Sequence, residues 1–139
     1  MTTATLPSEA APGATAFIGL GANLGDARAT LGDALTALRS LALPGSFAAS
    51  SLYGSAPIDS SGPDYVNAVA RLRTTLAPHA VLDDERLAVP HPRAAQRGFV
   101  LEPLAELWPG GVIPGAGCVA DLLAAARRDP GQRVHRLDV

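Results

Sequence analysis

Residues 86–97 contain several basic residues and could bind an anion. This stretch contains Arg86, His91, Arg93 and Arg97, and no carboxylate interrupts it. Prolines on both sides of the histidine restrict the backbone. All eleven basic residues of the chain are arginines, so phosphates would be bound by guanidinium groups, backbone N–H groups and imidazole. The stretch predicts either a polyphosphate site or an ordinary solvated loop.

A second group of residues could bind a planar heterocycle. Tyr65 and Asn67 lie two positions apart and share one face of a predicted strand, and Phe99 follows later in the chain. A carboxamide offers both a hydrogen-bond donor and an acceptor, which matches a ring edge that presents both. An aromatic side chain can stack on the face of such a ring. The alternative is ordinary sheet packing with an exposed asparagine.

The glycines at positions 19, 21 and 25 form a turn between a predicted strand and a predicted helix. A dinucleotide-binding fingerprint needs its third glycine one position earlier, where Leu24 stands. The sequence also lacks an acidic residue at the end of a clear second parallel strand. A tight strand–helix turn is therefore the better interpretation, and a nicotinamide-dependent oxidoreductase is disfavoured.

The acidic residues form one close cluster, Asp83, Asp84 and Glu85. Magnesium in phosphoryl transfer is normally held by carboxylates that face one way. This cluster resembles a helix start or a turn rather than a strand, so we predict no metal site from it. The isolated residues His79 and His135 are expected at the surface. Cys118 is expected to be structural because no base partner is evident.

The elements that would position these residues follow from periodicity and turn signals. Apolar residues at helical spacing predict a helix over residues 27–41. Residues 65–75 alternate, which predicts a strand with its apolar face on the core and a more polar face outward, as in an antiparallel sheet. Further strands are predicted at 16–20, 46–55 and 133–139, and further helices at 103–108 and 118–128. Residues 1–14 are predicted to be a flexible tail, and residues 15–139 a single domain.

Composition restricts the class of protein. The chain has 139 residues, a net charge of −2 and 47% apolar residues, which is typical of one globular domain. The absence of lysine excludes Schiff-base chemistry and the phosphate-binding lysine of a P-loop. The absence of basic runs argues against a nucleic-acid surface, and no apolar stretch has the length of a membrane span. The N-terminus lacks the pattern of a secretory signal, so we expect a cytoplasmic protein.

Several of these features occur together, in the same order, in one enzyme family. The chain resembles 6-hydroxymethyl-7,8-dihydropterin pyrophosphokinase from about residue 16 to residue 126. The similarity rests on these segments: residues 17–26 (FIGLGANLGD), 50–53 (SSLY), 62–68 (GPDYVNA), 84–87 (DERL), 89–93 (VPHPR), 96–101 (QRGFVL) and 103–104 (PL). The glycine turn is moderately specific by itself, whereas the combination of the DYVNA, VPHP and RGF motifs is highly specific.

The resemblance implies a fold, a reaction and roles for individual residues. The fold would be α+β and ferredoxin-like, with helices packed on an antiparallel sheet. The enzyme would transfer a pyrophosphoryl group from ATP to the hydroxymethyl oxygen of the pterin, in folate biosynthesis. The residues implied for the pterin are Ser55 and Ile58 through their backbones, Tyr65 and Asn67 in the pocket, and Phe99 stacked on the ring. The residues implied for catalysis and for the ATP phosphates are Arg86, His91 and Arg97.

The chain departs from the family pattern at one point. Family members carry a helix, an arginine-rich loop and a strand with two magnesium-binding aspartates, but here Leu82-Asp83 continues directly into residues 84–86. Roughly forty residues are absent near positions 82–84, far more than a connecting loop usually spans. Mg²⁺ is thus expected by family although its ligands are missing. We predict a core without one helix–strand unit, little or no pyrophosphokinase activity, and low stability or self-association through an exposed sheet edge.

Two other interpretations remain. The chain could be a non-catalytic remnant that binds pterin or nucleotide, or a small α+β interaction module with no connection to folate. Ligand binding without turnover would favour the first, and failure to bind either ligand would favour the second.

Overall fold

A computed structural model of the chain describes residues 2–7, 15–57, 62–75 and 96–137. The described elements are β1 (Thr2–Pro7), β2 (Thr15–Ala22), α1 (Ala27–Leu41), β3 (Ala48–Ala49), β4 (Tyr53–Ser55), β5 (Tyr65–Arg73), α2 (Gly98–Leu107), β6 (Val112–Ile113), β7 (Gly117–Cys118), α3 (Val119–Arg127) and β8 (Val134–Arg136). The mixed helix and sheet content confirms the predicted α+β class. None of the helices in these residues is long and apolar enough to cross a membrane.

The main sheet has the strand order β1-β2-β5-β4-β8, and β3 also pairs with β5. Every neighbouring pair in this sheet is antiparallel. Because β2 and β4 are both antiparallel to β5, they run parallel to each other, with β5 between them. Helix α1 lies between β2 and β4 in the chain, so these elements form a split β-α-β unit of the ferredoxin-like kind. Strands β6 and β7 form a separate two-stranded sheet.

Helix α1 covers one face of the sheet, and its bounds are those predicted from the sequence. Asp26 caps its first turn, where the carboxylate accepts a hydrogen bond from the backbone N–H of Ala29 at 3.0 Å. Leu31 and Leu38 are buried against residues of β2 and β5, including Ile18 and Leu72. The helix therefore forms because its apolar stripe and the apolar face of β5 bury each other.

Helices α2 and α3 cover the opposite face and form a second core. Val69 of β5 and Phe17 of β2 pack there against Leu101 and Leu104 of α2. The predicted outward polar face of β5 is therefore wrong: Val69 and Asn67 are 1% and 2% exposed. The alternation of the strand was right, but a second layer of helices covers the face that we expected to meet solvent.

Helix α2 begins earlier than predicted. The sequence predicts a short helix over residues 103–108. In the structure the helix spans Gly98–Leu107 and contains Pro103 in its interior, where the side chain is fully buried. A proline inside a helix removes one backbone hydrogen bond. In α2 the helix continues through Pro103, whose side chain is completely buried in the core.

The N-terminus also differs from the predicted tail. Thr2–Pro7 forms strand β1, which pairs antiparallel with β2 from Thr2 opposite Gly21 to Pro7 opposite Ala16. Three threonines and a leucine in this segment favour extended backbone. The small and polar residues of the segment predict a tail, but its backbone pairs along β2. Residues 8–14 lie outside the described part of the chain.

A carboxylate on α2 joins that helix to the strand region of β3 and β4. Glu106 accepts hydrogen bonds from the backbone N–H of Ser51, at 2.9 and 3.1 Å, and from the phenol O–H of Tyr53, at 2.7 Å. Burial, together with the hydrogen bond to Glu106 and its negative charge, raises the pKa of Tyr53 to about 12. The neutral phenol is therefore the form that the folded chain stabilises.

The second core allows a direct test of packing. Leu104 is 0% exposed and Leu24 is 75% exposed, so the two leucines form a matched pair. We expect Leu104→Ala to lower the free energy of unfolding by about 2–5 kcal/mol, and Leu24→Ala to change it by less than about 0.5 kcal/mol. Urea denaturation of both variants measures this, and equal losses would contradict the assigned core.

The Tyr53 phenol should make stability depend on pH in the alkaline range. Its folded pKa of about 12 exceeds the unfolded value of about 10, so its contribution is complete below pH 10. That contribution decreases as the pH rises from about 10 to about 12, because only the unfolded chain releases the proton. Urea unfolding across this range should show a steeper loss of stability for the wild-type chain than for Tyr53→Phe. Parallel curves would disprove the assigned shift.

Candidate functional site

The side chain of Asn67 lies at the centre of a group of residues from three neighbouring strands, β2, β5 and β4. In the pairing of β5 with its neighbours, Asn67 stands opposite Gly21 of β2 and Tyr53 of β4. Its Nδ2 donates hydrogen bonds to Oγ of Ser55 at 2.8 Å and to the carbonyl oxygen of Tyr53 at 3.4 Å. The amide is thus buried and its donor side is held by β4.

The acceptor side of the same amide lies over a glycine. A Cβ atom added to Gly21 would be 3.0 Å from Oδ1 of Asn67 and 3.7 Å from Cδ1 of Tyr65. Because glycine has no side chain, the side chains of Asn67 and Tyr65 can lie close to the backbone at position 21. Among the described residues no hydrogen-bond donor is found at this Oδ1. A buried acceptor without a partner is costly, and a ligand N–H group could satisfy it.

Ser55 and Tyr65 complete this group. They stand opposite each other in the pairing of β4 with β5, so their side chains share a face with Asn67. Ser55 is 4% exposed and Tyr65 is half-buried. We call Gly21, Ser55, Tyr65 and Asn67 the Asn67 cluster. Three of its members were predicted as site residues; Gly21 was considered only as part of a turn.

The first turn of α2 carries two more of the predicted residues. Arg97 is the N-cap residue, and its carbonyl oxygen accepts from the N–H groups of Val100 and Leu101 at 3.0 Å. Phe99 is partly buried and packs against the second core, which includes Val69. Both residues therefore lie on the helix that covers the sheet face of the Asn67 cluster. In the described residues no hydrogen bond or ring contact joins them to the cluster.

A residue that sequence reasoning missed fixes the start of α2. The side-chain oxygen of Gln132 accepts a hydrogen bond from the backbone N–H of Gly98 at 2.8 Å. A Cβ atom at Gly98 would lie 3.4 Å from Cγ2 of Val134, so the helix start packs closely on the C-terminal segment. No local sequence signal could reveal this contact, because the two residues are 34 positions apart.

A cleft lies near the β4–β8 edge, and the predicted site residues in the described part of the chain do not line it. Its volume is about 840 Å³, and it is bounded by Tyr53, Glu102 and most of residues 127–136. Four arginines and two carboxylates line it, but Glu102 binds Arg127 through two hydrogen bonds of 2.8 Å. The cleft is thus partly neutralised by its own residues.

Several predicted residues fall outside the described part of the chain. Ile58, Arg86 and His91 belong to this group, as does the acidic cluster at residues 83–85. Within residues 2–7, 15–57, 62–75 and 96–137, no three His, Cys, Asp or Glu side chains are grouped so that they could hold a metal ion.

Comparison with known proteins identifies the same family that the motifs suggested. The family model described as 7,8-dihydro-6-hydroxymethylpterin-pyrophosphokinase (HPPK) matches residues 17–87. A protein of Haemophilus influenzae is 30% identical over 145 residues, which cover 78% of this chain and 91% of that protein. A protein of Pseudomonas aeruginosa is 31% identical over 157 residues, covering 87% of this chain and 95% of that protein. Both are named 2-amino-4-hydroxy-6-hydroxymethyldihydropteridine pyrophosphokinase.

These alignments also contain positions that the chain does not fill. The match to the Haemophilus influenzae protein has 145 positions. It includes 78% of the 139 residues of this chain, about 108, so about 37 positions have no residue of this chain. The match to the Pseudomonas aeruginosa protein has 157 positions. It includes 87% of the 139 residues of this chain, about 121, so about 36 positions have no residue of this chain. A protein of Pseudomonas putida with the same name is 44% identical over 68 residues, 49% of this chain and 57% of that protein.

The family model covers just over half of the chain. The two longer matches extend over nine tenths or more of the relatives' own lengths at 30 and 31% identity. The α+β fold agrees with that assignment. The chain belongs to the 7,8-dihydro-6-hydroxymethylpterin-pyrophosphokinase family.

Proposed function

We propose that the Asn67 cluster binds the pterin ring of 6-hydroxymethyl-7,8-dihydropterin. The observation that carries this proposal is the buried amide of Asn67, whose Nδ2 is engaged by Ser55 and whose Oδ1 faces Gly21 without a donor from the described residues. The edge of a pterin ring presents N–H groups beside a carbonyl oxygen. One of those N–H groups would satisfy Oδ1, and Tyr65 would border the ring.

The remaining pterin contacts follow the family resemblance. Ser55 and Ile58 would contribute backbone hydrogen bonds, and Phe99 would stack on the ring face. The position of Phe99 on α2, on the same side of the sheet as Val69, is compatible with this role.

The reaction we propose is the one named for the family, with ATP as co-substrate. The hydroxymethyl oxygen attacks the β-phosphorus of ATP, the bond from that phosphorus to the α,β-bridging oxygen breaks, and AMP leaves. The hydroxyl proton passes to solvent water as the new O–P bond forms. Arg86, His91 and Arg97 would bind the phosphates and neutralise the charge of the transition state. The proposed location of this reaction is the cytoplasm.

The magnesium ions expected by family do not fit the residues at hand. The described residues offer no suitable group of ligands, and the sequence contains no D-x-D pattern of the kind that the resemblance implies. The unfilled alignment positions are what a missing internal segment would leave. We therefore derive no step through a metal ion, and we propose that turnover in this chain is slow while pterin binding is retained.

Pterin binding can be tested through the space at Gly21. We expect Gly21→Ala to weaken binding of the pterin by about tenfold or more, because the new Cβ would lie 3.0 Å from the acceptor oxygen of Asn67. Gly32→Ala is the matched control, since nothing lies within 4 Å of its Cβ position and alanine favours the helix. Calorimetric titration measures both variants, and a melting curve of each verifies that it is folded. Equal affinities would contradict the assigned pocket.

Turnover can be tested by measuring AMP formation from ATP and the hydroxymethyl pterin with Mg²⁺. We expect a rate far below the range of about 1–1,000 per second that is usual for enzymes. An intact-mass measurement of the same sample verifies the chain, and sequencing of the coding region shows whether the internal gap is genuine. Turnover at ordinary rates would overturn the proposed loss. Binding without turnover would indicate a non-catalytic remnant, and failure to bind pterin or ATP an interaction module.

A further inference from the structure

The outer edge of β2 is the place where the sheet would be open to pairing with another chain if β1 did not cover it. Strand β2 has eight residues, and Phe17, Ile18, Leu20 and Ala22 are all buried in the two cores. Its inner side pairs with β5 along the whole strand, from Thr15 to Ala22. In an antiparallel sheet alternate residues direct their N–H and C=O groups to opposite sides. The other half of these groups would be unpaired if nothing lay beyond β2.

The topology identifies what this position would normally hold. Strand β2, helix α1 and strand β4 form one split β-α-β unit, with β5 between the two strands. A complete ferredoxin-like fold contains two split β-α-β units. The second unit would begin with β5, continue through a helix, and end in a strand that is parallel to β5 and separated from it by one strand, β2. That strand would lie at the outer edge of β2. The chain lacks about 36 or 37 positions that its relatives fill, which is enough for a helix and a strand.

Strand β1 occupies this position in the required direction. It is antiparallel to β2 and is therefore parallel to β5. It pairs with β2 over six consecutive residues, from Thr2 opposite Gly21 to Pro7 opposite Ala16. The polypeptide thus supplies from its N-terminus a strand that has the place and orientation of the absent one.

We propose that Thr2–Pro7 is a substitute edge strand, which closes the sheet in place of the absent helix–strand unit and keeps the chain monomeric. Pro7 at the end of the strand has no N–H group to offer, which discourages further edge-to-edge pairing. Because Thr2 stands opposite Gly21, the substitute strand also supports the backbone on which the Asn67 amide rests. This last consequence depends on the proposed function; closure of the sheet does not.

The test uses the full chain with Thr3→Pro and Ala4→Pro combined. Thr3 and Ala4 are adjacent, so the backbone N–H group of one of them is directed at β2. Proline at both positions removes that N–H group whichever residue carries it. We expect sedimentation velocity to show a concentration-dependent dimer or larger species, where the wild-type chain sediments as a monomer. The matched control is Thr3→Val with Ala4→Val, which keeps both N–H groups and should stay monomeric.

A peptide with the sequence of residues 1–7 provides a rescue in trans. Added in excess to the double-proline variant, it should restore the monomer, whereas the same peptide carrying the two prolines should not. Restoration by both peptides or by neither would overturn the proposal. None of these measurements involves pterin or ATP, so their failure is distinguishable from failure of the proposed function.

Hydrogen exchange of the wild-type chain gives a result that does not depend on any variant folding. If β1 is paired in solution, the amides of β2 that face it should exchange at least about tenfold more slowly than unstructured backbone. Protection confined to the alternate amides that face β5, or a double-proline variant that remains monomeric with the exchange pattern of the wild-type chain, would overturn the proposal.

Discussion

Strand β5 is the element on which the rest of the structure depends, because it is covered on both faces and paired on both edges. Its even-numbered residues from Ala68 onward lie in the core beneath α1, and Val69 lies in the core beneath α2 and α3. The central residues of β5, from Asn67 to Ala70, are all buried, so a polar side chain among them must find a partner within the protein or a ligand. Asn67 is buried at this strand, and its partners decide what the site can bind.

The hydrogen bonds of the Asn67 amide depend on residues that are distant in sequence. Ser55 can accept from its Nδ2 only if β4 is in register with β5. Glu106 strengthens that arrangement, because it binds Ser51 and Tyr53 just before Ser55 and so attaches α2 to this end of the sheet. A carboxylate on a helix and an amide on a strand are thus parts of one hydrogen-bonded structure between the two layers.

The parts of this structure that were predictable are those determined by local periodicity and turn chemistry. Helix α1 and the alternation of β5 follow from the positions of their apolar residues, and the motif around Asn67 identified the family. The second helical layer was not predictable in the same way. Pro103 favours a helix start when only its neighbours are considered, but the core formed by Leu101 and Leu104 extends the helix back to Gly98.

Two contacts at the site were beyond sequence reasoning for a different reason. The hydrogen bond between Gly98 and Gln132 and the clearance between Gly21 and Asn67 depend on how separate elements approach each other. A glycine within a turn motif is usually explained by backbone freedom. At position 21 the relevant fact is the space above the glycine, which only the register of β2 against β5 reveals.

The absent segment separates two requirements that are combined in the relatives. An exposed sheet edge favours pairing with other chains, and a strand of suitable length with free backbone N–H and C=O groups can cover it. Pyrophosphoryl transfer needs charges at fixed positions around the phosphates, which a different strand in the same place does not provide. Strand β1 can therefore replace the geometry of the missing unit without replacing its chemistry. A chain of this kind can retain its fold and the Asn67 cluster although it lacks about 36 or 37 of the positions that its relatives fill.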